Sequence, residues 1–225
     1  VNTLFDIVVA KLQKKDGLIR HNIMGKRVDF SARSVIVVDP SIPVTHASIP
    51  YLIVLELYKP FLAKKLVDDG KFYIFMDAIE YINMLIEKEN YELFDFVVEQ
   101  TENKFCILNR QPTLHRGSMM AFKIKVNKFK TIKINPLICV PYNADFDGDQ
   151  MAIYIPITNE SSKEIKDRMW IYNNIMDSSL NLNFVPEHDI VLGIYTLTEA
   201  KENSEHPEWK IYNMVDYKGQ KITLG

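Results

Sequence analysis

The sequence predicts a mixed α+β fold, in which a small barrel or sandwich of short strands carries a helical insertion and a helical C-terminal segment. Three observations lead there. Several short segments alternate apolar and polar residues or run as brief apolar blocks, separated by Pro, Gly and Asn. Residues 50–102 instead space their apolar side chains as helices do. With 225 residues, 47% of them hydrophobic, the chain holds enough apolar material for a core and is too apolar for disorder.

Taken in order, Arg33–Val38 reads as a buried strand stopped by Asp39 and Pro40, followed by a Pro-punctuated loop to Pro50. Tyr51–Val67 reads as a helix interrupted at Pro60, because proline removes one helical hydrogen bond. Asp77–Lys88, with Ile79, Ile82, Met84, Leu85 and Ile86 on one side, and Glu92–Gln100 are two more helices. Strands are expected at Phe105–Leu108, Ala121–Val126, Thr131–Ile134, Leu137–Val140 and Met151–Ile155. Asn159 opens a capped helix running to about Tyr172, and Glu187–Leu197 reads as a further helix or turn-rich packing segment. The tail from Lys201 is too polar and turn-rich to assign. The chain thus divides into a connecting segment at 1–17, a barrel domain at 18–158 with its insertion at about 50–102, and a helical segment at 159–225.

A net charge of −2 hides an internal asymmetry. Asp68–Glu102 holds ten acids and two lysines, whereas Lys104–Lys133 holds eight basic residues and no acid. Lys123, Lys125, Lys128, Lys130 and Lys133 form a row that would suit phosphate, the competing reading being plain solvation of a sheet face. A second basic cluster, Lys11–Arg33, has seven basic and two acidic residues around a Gly25-Lys26-Arg27 turn able to grip a phosphate backbone. Cys106 and Cys139 form no C-x-x-C pair, which excludes a disulfide framework and a thiolate zinc site and favours a reducing compartment. No apolar run approaches the roughly 20 residues of a membrane span, and Val1–Ala10 lacks the features of a signal peptide, so a cytoplasmic location is expected.

The most informative stretch is Asp145-Phe-Asp147-Gly148-Asp149, three carboxylates in five residues between apolar segments. Like charges held this close raise one another's proton affinity unless a cation compensates them. An all-oxygen ligand set selects a hard ion, and Mg2+ accepts a few carboxylates while keeping water or substrate phosphate in its shell. A calcium loop starting at Asp145 would need Gly at its sixth position and Glu at its twelfth, where Gln150 and Pro156 stand. The competing reading is a solvated acidic turn.

The octapeptide Asn143–Gln150 resembles the signature of the largest, β′-type subunit of multisubunit DNA-dependent RNA polymerase. Gly25–Ile36 resembles the segment where that family's barrel begins, Leu55–Pro60 its Leu-Glu-Leu-Phe-Lys-Pro element, and Asn109–Arg116 its Asn-Arg-Ala-Pro-Thr-Leu-His-Arg loop. Asn173–Ile175 and Val185–Gly193 match downstream, so the resemblance covers about residues 15–197 in the family's order. The departures are Gln111 for the usual Ala, Ala32 for Gly, Asn135 for His, and a stretch at 177–183 without the family's Pro and Gly.

That resemblance implies a double-psi β-barrel and template-directed nucleotidyl transfer from NTPs to an RNA 3′ end, performed only with other subunits. It implies that Asp145, Asp147 and Asp149 are the catalytic metal ligands, with one Mg2+ held tightly and a second arriving with the NTP, and no zinc in this chain. Arg110 and Asn143 match the positions that read the ribose, with Pro112 and Gln150 in the substrate pocket. Thr113 and His115 match contacts to the RNA end, and Lys26, Arg27 and Arg33 match contacts to template and hybrid. Implied partners are a β-like subunit, the rest of β′, template DNA and nascent RNA. A fragment of a longer subunit, or one product of a subunit split as in some giant bacteriophages, accounts for the length. Two other readings stand beside this one: a single-chain two-barrel RNA polymerase of the RNA-silencing type, and a non-catalytic nucleic-acid-binding or assembly module.

Overall fold

The computed structural model describes residues 3–13, 17–25, 27–176, 180, 182–187, 189–198, 212–217 and 220–224. Near the start of the chain, α1 (Leu4–Leu12) is capped by Thr3, whose hydroxyl accepts from the Asp6 N–H while the Asp6 carboxylate accepts from the Thr3 N–H. Leu4, Phe5, Ile7 and Val8 of this helix are exposed.

Six strands close a barrel: β1 (Ser31–Val38), β2 (His46–Pro50), β3 (Phe105–Asn109), β4 (Met119–Asn127), β5 (Ile132–Ile134) and β6 (Gln150–Tyr154). Their order is β1-β5-β2-β4-β3-β6, with β1/β5 and β2/β4 parallel and the other pairs antiparallel. Ile36 lies opposite Ile132, Val35 opposite Gln150, and Asn109 opposite both Met119 and Ala152. Among the described residues closure leaves the barrel itself no unpaired edge, and its interior is filled by Ile36, Leu108, Met120, Phe122, Ile134, Met151 and Ile153, each at most 1% exposed. The closed mixed barrel is the one the resemblance implies.

Three helices lie between β2 and β3: α2 (Tyr51–Asp68), α3 (Phe75–Glu87) and α4 (Phe94–Thr101). Val54, Leu55, Leu62 and Leu66 of α2 share one core with Ala78, Ile82 and Leu85 of α3, Val97 of α4 and the barrel. Fully burying each such leucine contributes roughly 1.5–3 kcal/mol, which makes this layer a firm wall for the barrel.

Four expectations are corrected. First, α2 is not interrupted at Pro60. Buried side chains on both sides of the proline hold the helix together, and the residue four back, Glu56, is exposed, so its freed carbonyl can bond to water. Second, the loop before Pro50 contains β2, which owes its existence to non-local parallel pairing with β4. Third, Leu137–Val140 is not a strand. Asn135 accepts from the Leu137 N–H at 3.0 Å and donates to the Ile42 carbonyl at 2.8 Å, starting a 3-10 turn at Pro136–Ile138 that runs into α5 (Cys139–Tyr142).

Fourth, the helix expected from Asn159 to Tyr172 is broken. A regular helix, α6 (Asn159–Glu164), is capped by Thr158, then widens over Ile165–Met169 and stops. Trp170 leaves it to bridge Ala121 of β4 and to pack edge-on against Phe105, with ring centroids 5.7 Å apart. Farther on, α7 (Asp189–Thr198) lies where a helix or turn-rich segment is expected, and the unassigned tail contains an antiparallel pair, β7 (Tyr212–Tyr217) and β8 (Gln220–Leu224). Among the described residues no helix is long and apolar enough to cross a membrane.

Candidate active site

The aspartate loop hangs between α5 and β6. At the end of α5 the chain turns left-handed at Asn143 (φ 46°, ψ 46°), and the N–H groups of Asn143 and Ala144 return to the carbonyls of Val140 and Cys139 at 3.0 Å each. Asparagine tolerates this conformation better than most residues. Gly148 makes the second sharp turn at φ 122°, where nothing lies within 4 Å of a would-be Cβ, so backbone conformation alone calls for glycine. The loop is then tied to the barrel where the Asp149 carbonyl accepts from the Ile36 N–H at 3.0 Å.

These turns bring one carboxylate oxygen each of Asp145, Asp147 and Asp149 within 4.8 Å of one another. Asp145 and Asp147 are exposed and Asp149 is half-buried. A hydrogen bond with Asp147, with desolvation and the neighbouring negative charges added, pushes the Asp145 carboxyl above its ordinary range. Asp149 goes the other way, because Arg110 holds it below that range. The Arg110 Nε–H donates to Asp149 Oδ2 at 2.7 Å, with the two side chains 19% and 21% exposed. Three converging carboxylates, two of them exposed to solvent that can supply further oxygen ligands, fit a hard divalent cation.

Arg110 follows β3 directly, and its N–H donates to the Ser118 carbonyl at 3.3 Å. The peptide from Gln111 to Pro112 is cis. Thr113 donates to Asn109 Oδ1 at 2.7 Å, and His115 Nδ1 accepts from the Gly117 N–H at 3.1 Å. Both side chains are thus engaged in shaping their own loop. A Cβ at Gly117 would come within 2.9 Å of the His115 ring, so that close turn needs glycine. Gln150 is exposed as the first residue of β6. Arg33, exposed on β1, reaches the Arg110 loop through Gln111 Oε1, 3.5 Å from its Nη1. Arg27 is exposed outside the regular elements, and Lys26 lies outside the described residues.

Two buried groups that sequence reasoning missed also meet here. The Tyr142 phenol bonds to Leu108 and Met120, and the Ser118 hydroxyl bonds to Pro141. The sole sequence signal was the position of Tyr142 next to the octapeptide. A cavity of about 850 Å³ lies against Thr113, His115, Met120 and Pro141, and none of the three aspartates lines it. The aspartate loop, with Asp145 and Asp147 exposed, forms an open ledge instead.

The basic row is largely occupied by partners within the chain. Lys123 lies over Trp170 and donates to Asn103, Lys128 lies over Phe94, Lys130 pairs with Glu89 at 2.6 Å, and Lys133 pairs with Asp39 at 3.3 Å.

The family model described as RNA polymerase Rpb1, domain 2, matches residues 25–171. Among curated proteins, the DNA-directed RNA polymerase subunit beta′ of Anaplasma phagocytophilum (strain HZ) is 42% identical over 195 residues, 86% of this chain and 14% of that protein. The subunit of the same name from Caldicellulosiruptor saccharolyticus is 39% identical over 206 residues, covering 91% of this chain and 17% of its own length. That of Treponema pallidum (strain Nichols) is 38% identical over 206 residues, again 91% of this chain and 14% of its own length. The chain therefore spans about one seventh of the length of these curated relatives.

Proposed function

Because the chain belongs to the RNA polymerase Rpb1, domain 2, family and is a β′-type fragment, we propose that it carries the catalytic-metal half of a DNA-directed RNA polymerase active centre. The observation that supports this most is the convergence of Asp145, Asp147 and Asp149 within 4.8 Å, with the Arg110 guanidinium on Asp149. In this reading residues 18–158 are the catalytic barrel domain, and 159–225, which hold α6, α7 and the β7–β8 pair, begin the next part of the subunit.

Asp145, Asp147 and Asp149 would hold Mg2+, which, with a second ion brought by the nucleoside triphosphate, supplies stabilisation of the attacking 3′-oxygen and of charge building on the α-phosphate. The chain's own residues orient the reactants. Arg110 commits its Nε to Asp149, which leaves its Nη groups to donate to a ribose hydroxyl. Asn143, exposed at the head of the loop, adds an amide to the same task, and Pro112 and Gln150 border the nucleotide. Thr113 and His115 shape the floor beneath the RNA end. Lys26, Arg27 and Arg33 grip the phosphates of template and hybrid without reading sequence. The open ledge is completed by a β-like subunit and the rest of β′, in the cytoplasm.

In the assembled enzyme, Asp147→Ala should abolish RNA elongation while leaving assembly intact, and iron(II) in place of Mg2+ should cleave the chain by hydroxyl radicals near residue 147. Elongation by the mutant at a substantial fraction of the wild-type rate would refute the assignment.

A further inference from the structure

Tyr142 is the last residue of α5, directly before Asn143 and the aspartate loop. It is 1% exposed, and its phenol oxygen serves two backbone groups at once: the Met120 N–H donates to it at 3.0 Å, and its own hydroxyl donates to the Leu108 carbonyl at 2.9 Å. Leu108 and Met120 face each other across the β3–β4 ladder, at the base of the loop that carries Arg110, Thr113 and His115. Burial keeps the phenol protonated, so the donor is always present.

A second tie runs alongside. The Arg110 N–H donates to the Ser118 carbonyl, and the Ser118 hydroxyl, on a residue 2% exposed, donates to the Pro141 carbonyl at 3.3 Å. Tyr142 and Ser118 therefore clasp the Arg110 loop to the helix from which the aspartate loop hangs. The contact between Arg110 and Asp149 joins residues 39 apart in sequence and requires both loops to keep one offset.

We propose that Tyr142, assisted by Ser118, is a positioning residue that fixes the Arg110 loop against the aspartate loop and so sets discrimination for the sugar of the incoming nucleotide. The inference rests on the reading of Arg110 given under Proposed function. Neither residue touches substrate; both act through the placement of Arg110, where a misplacement of about 1 Å can cost on the order of a hundredfold in rate. Phenylalanine at 142 keeps the ring packed near Phe122, whose centroid is 6.4 Å away, but leaves the Met120 N–H without its phenol partner.

The test is single-nucleotide addition by the assembled polymerase, read as the ratio of kcat/KM for a ribonucleotide to that for its deoxy analogue. This ratio is insensitive to how much of the enzyme is active, so a merely structural role would not move it. Tyr142→Phe should lower the ratio about tenfold, Ser118→Ala should lower it less, and Arg110→Ala by about ten- to a hundredfold. Tyr142→Phe combined with Arg110→Ala should lose no more discrimination than Arg110→Ala alone. An unchanged ratio in Tyr142→Phe, or fully additive losses in the double variant, would overturn the role. Should Tyr142→Phe fail to assemble, an unchanged ratio in Ser118→Ala would do the same. The Arg110→Ala arm reports on the underlying reading itself. If its ratio falls while that of Tyr142→Phe does not, only the clasp is refuted; if its ratio is unchanged, the ribose role of Arg110 and any transmission through it fail together.

Discussion

The Nε of Arg110 lies 2.7 Å from Oδ2 of Asp149, so a residue matched to sugar recognition and a residue matched to metal ligation form one ion pair. The guanidinium stabilises the ionised form of that carboxylate and competes with any cation for it.

Arg110→Ala should therefore raise the Asp149 pKa from its depressed position. On acidification, Mg2+-dependent activity, or iron(II) cleavage at the loop, should then fail at a higher pH than in the wild type, because the carboxylate protonates earlier. At neutral pH, where Asp149 is ionised with or without the arginine, ion binding should be equal or tighter, since one competing positive charge is gone. An acid limb that does not move would show that Arg110 leaves Asp149 unaffected in the assembled enzyme.

Asn143 has two separable properties, its left-handed backbone and its amide. Asn143→Ala should destabilise the chain by about 1–2 kcal/mol, because a Cβ without a compensating polar group is strained there, whereas Asn143→Gly should be close to neutral. Both should lose ribose discrimination to the same extent if the amide is what reads the sugar. Urea denaturation separates the first pair of outcomes, and the ribo-to-deoxy ratio checks the second.

Lys123, Lys130 and Lys133 already have partners in this chain. Replacing all three by Ala should change the slope of log K against log salt for nucleic-acid binding by less than about one unit, while Arg27→Ala alone should reduce it by about one. Fluorescence anisotropy of a template–RNA hybrid over a salt series measures both. A larger change from the three lysines would return that row to the nucleic-acid interface.

Pro60 sits inside a continuous α2. Pro60→Ala restores the N–H that the Glu56 carbonyl lacks, and should stabilise the chain by about 1–2 kcal/mol after the smaller unfolded-state entropy of proline is offset. Destabilisation in urea would mean that the packing of Leu62 and Leu66 depends on a bend at the proline.

The local chemistry was legible in the residues themselves. Gly148 between Asp147 and Asp149, and alternating apolar residues in Ala121–Val126, set a tight acidic turn and a strand by backbone preference and periodicity. The acidic helical block over 51–101 was legible by its spacing, whereas Arg110 and Asn143 were singled out only by the resemblance of Asn109–Arg116 and Asn143–Gln150 to the family's motifs. What lay beyond the sequence was every decision made by groups distant along the chain. A Pro-punctuated segment became β2 because β4, far downstream, offered a parallel ladder, and Leu137–Val140 became turn and helix because Asn135 captured the Leu137 N–H while its amide held Ile42. The pairing of Arg110 with Asp149, the clasp of Tyr142 on Leu108 and Met120, and the occupation of the lysine row by Trp170, Glu89 and Asp39 are of the same kind. Propensity and spacing act over a few residues and can be read in one dimension. Hydrogen bonds and ion pairs between segments 22 to 94 residues apart exist only once closure of the barrel has brought those segments together.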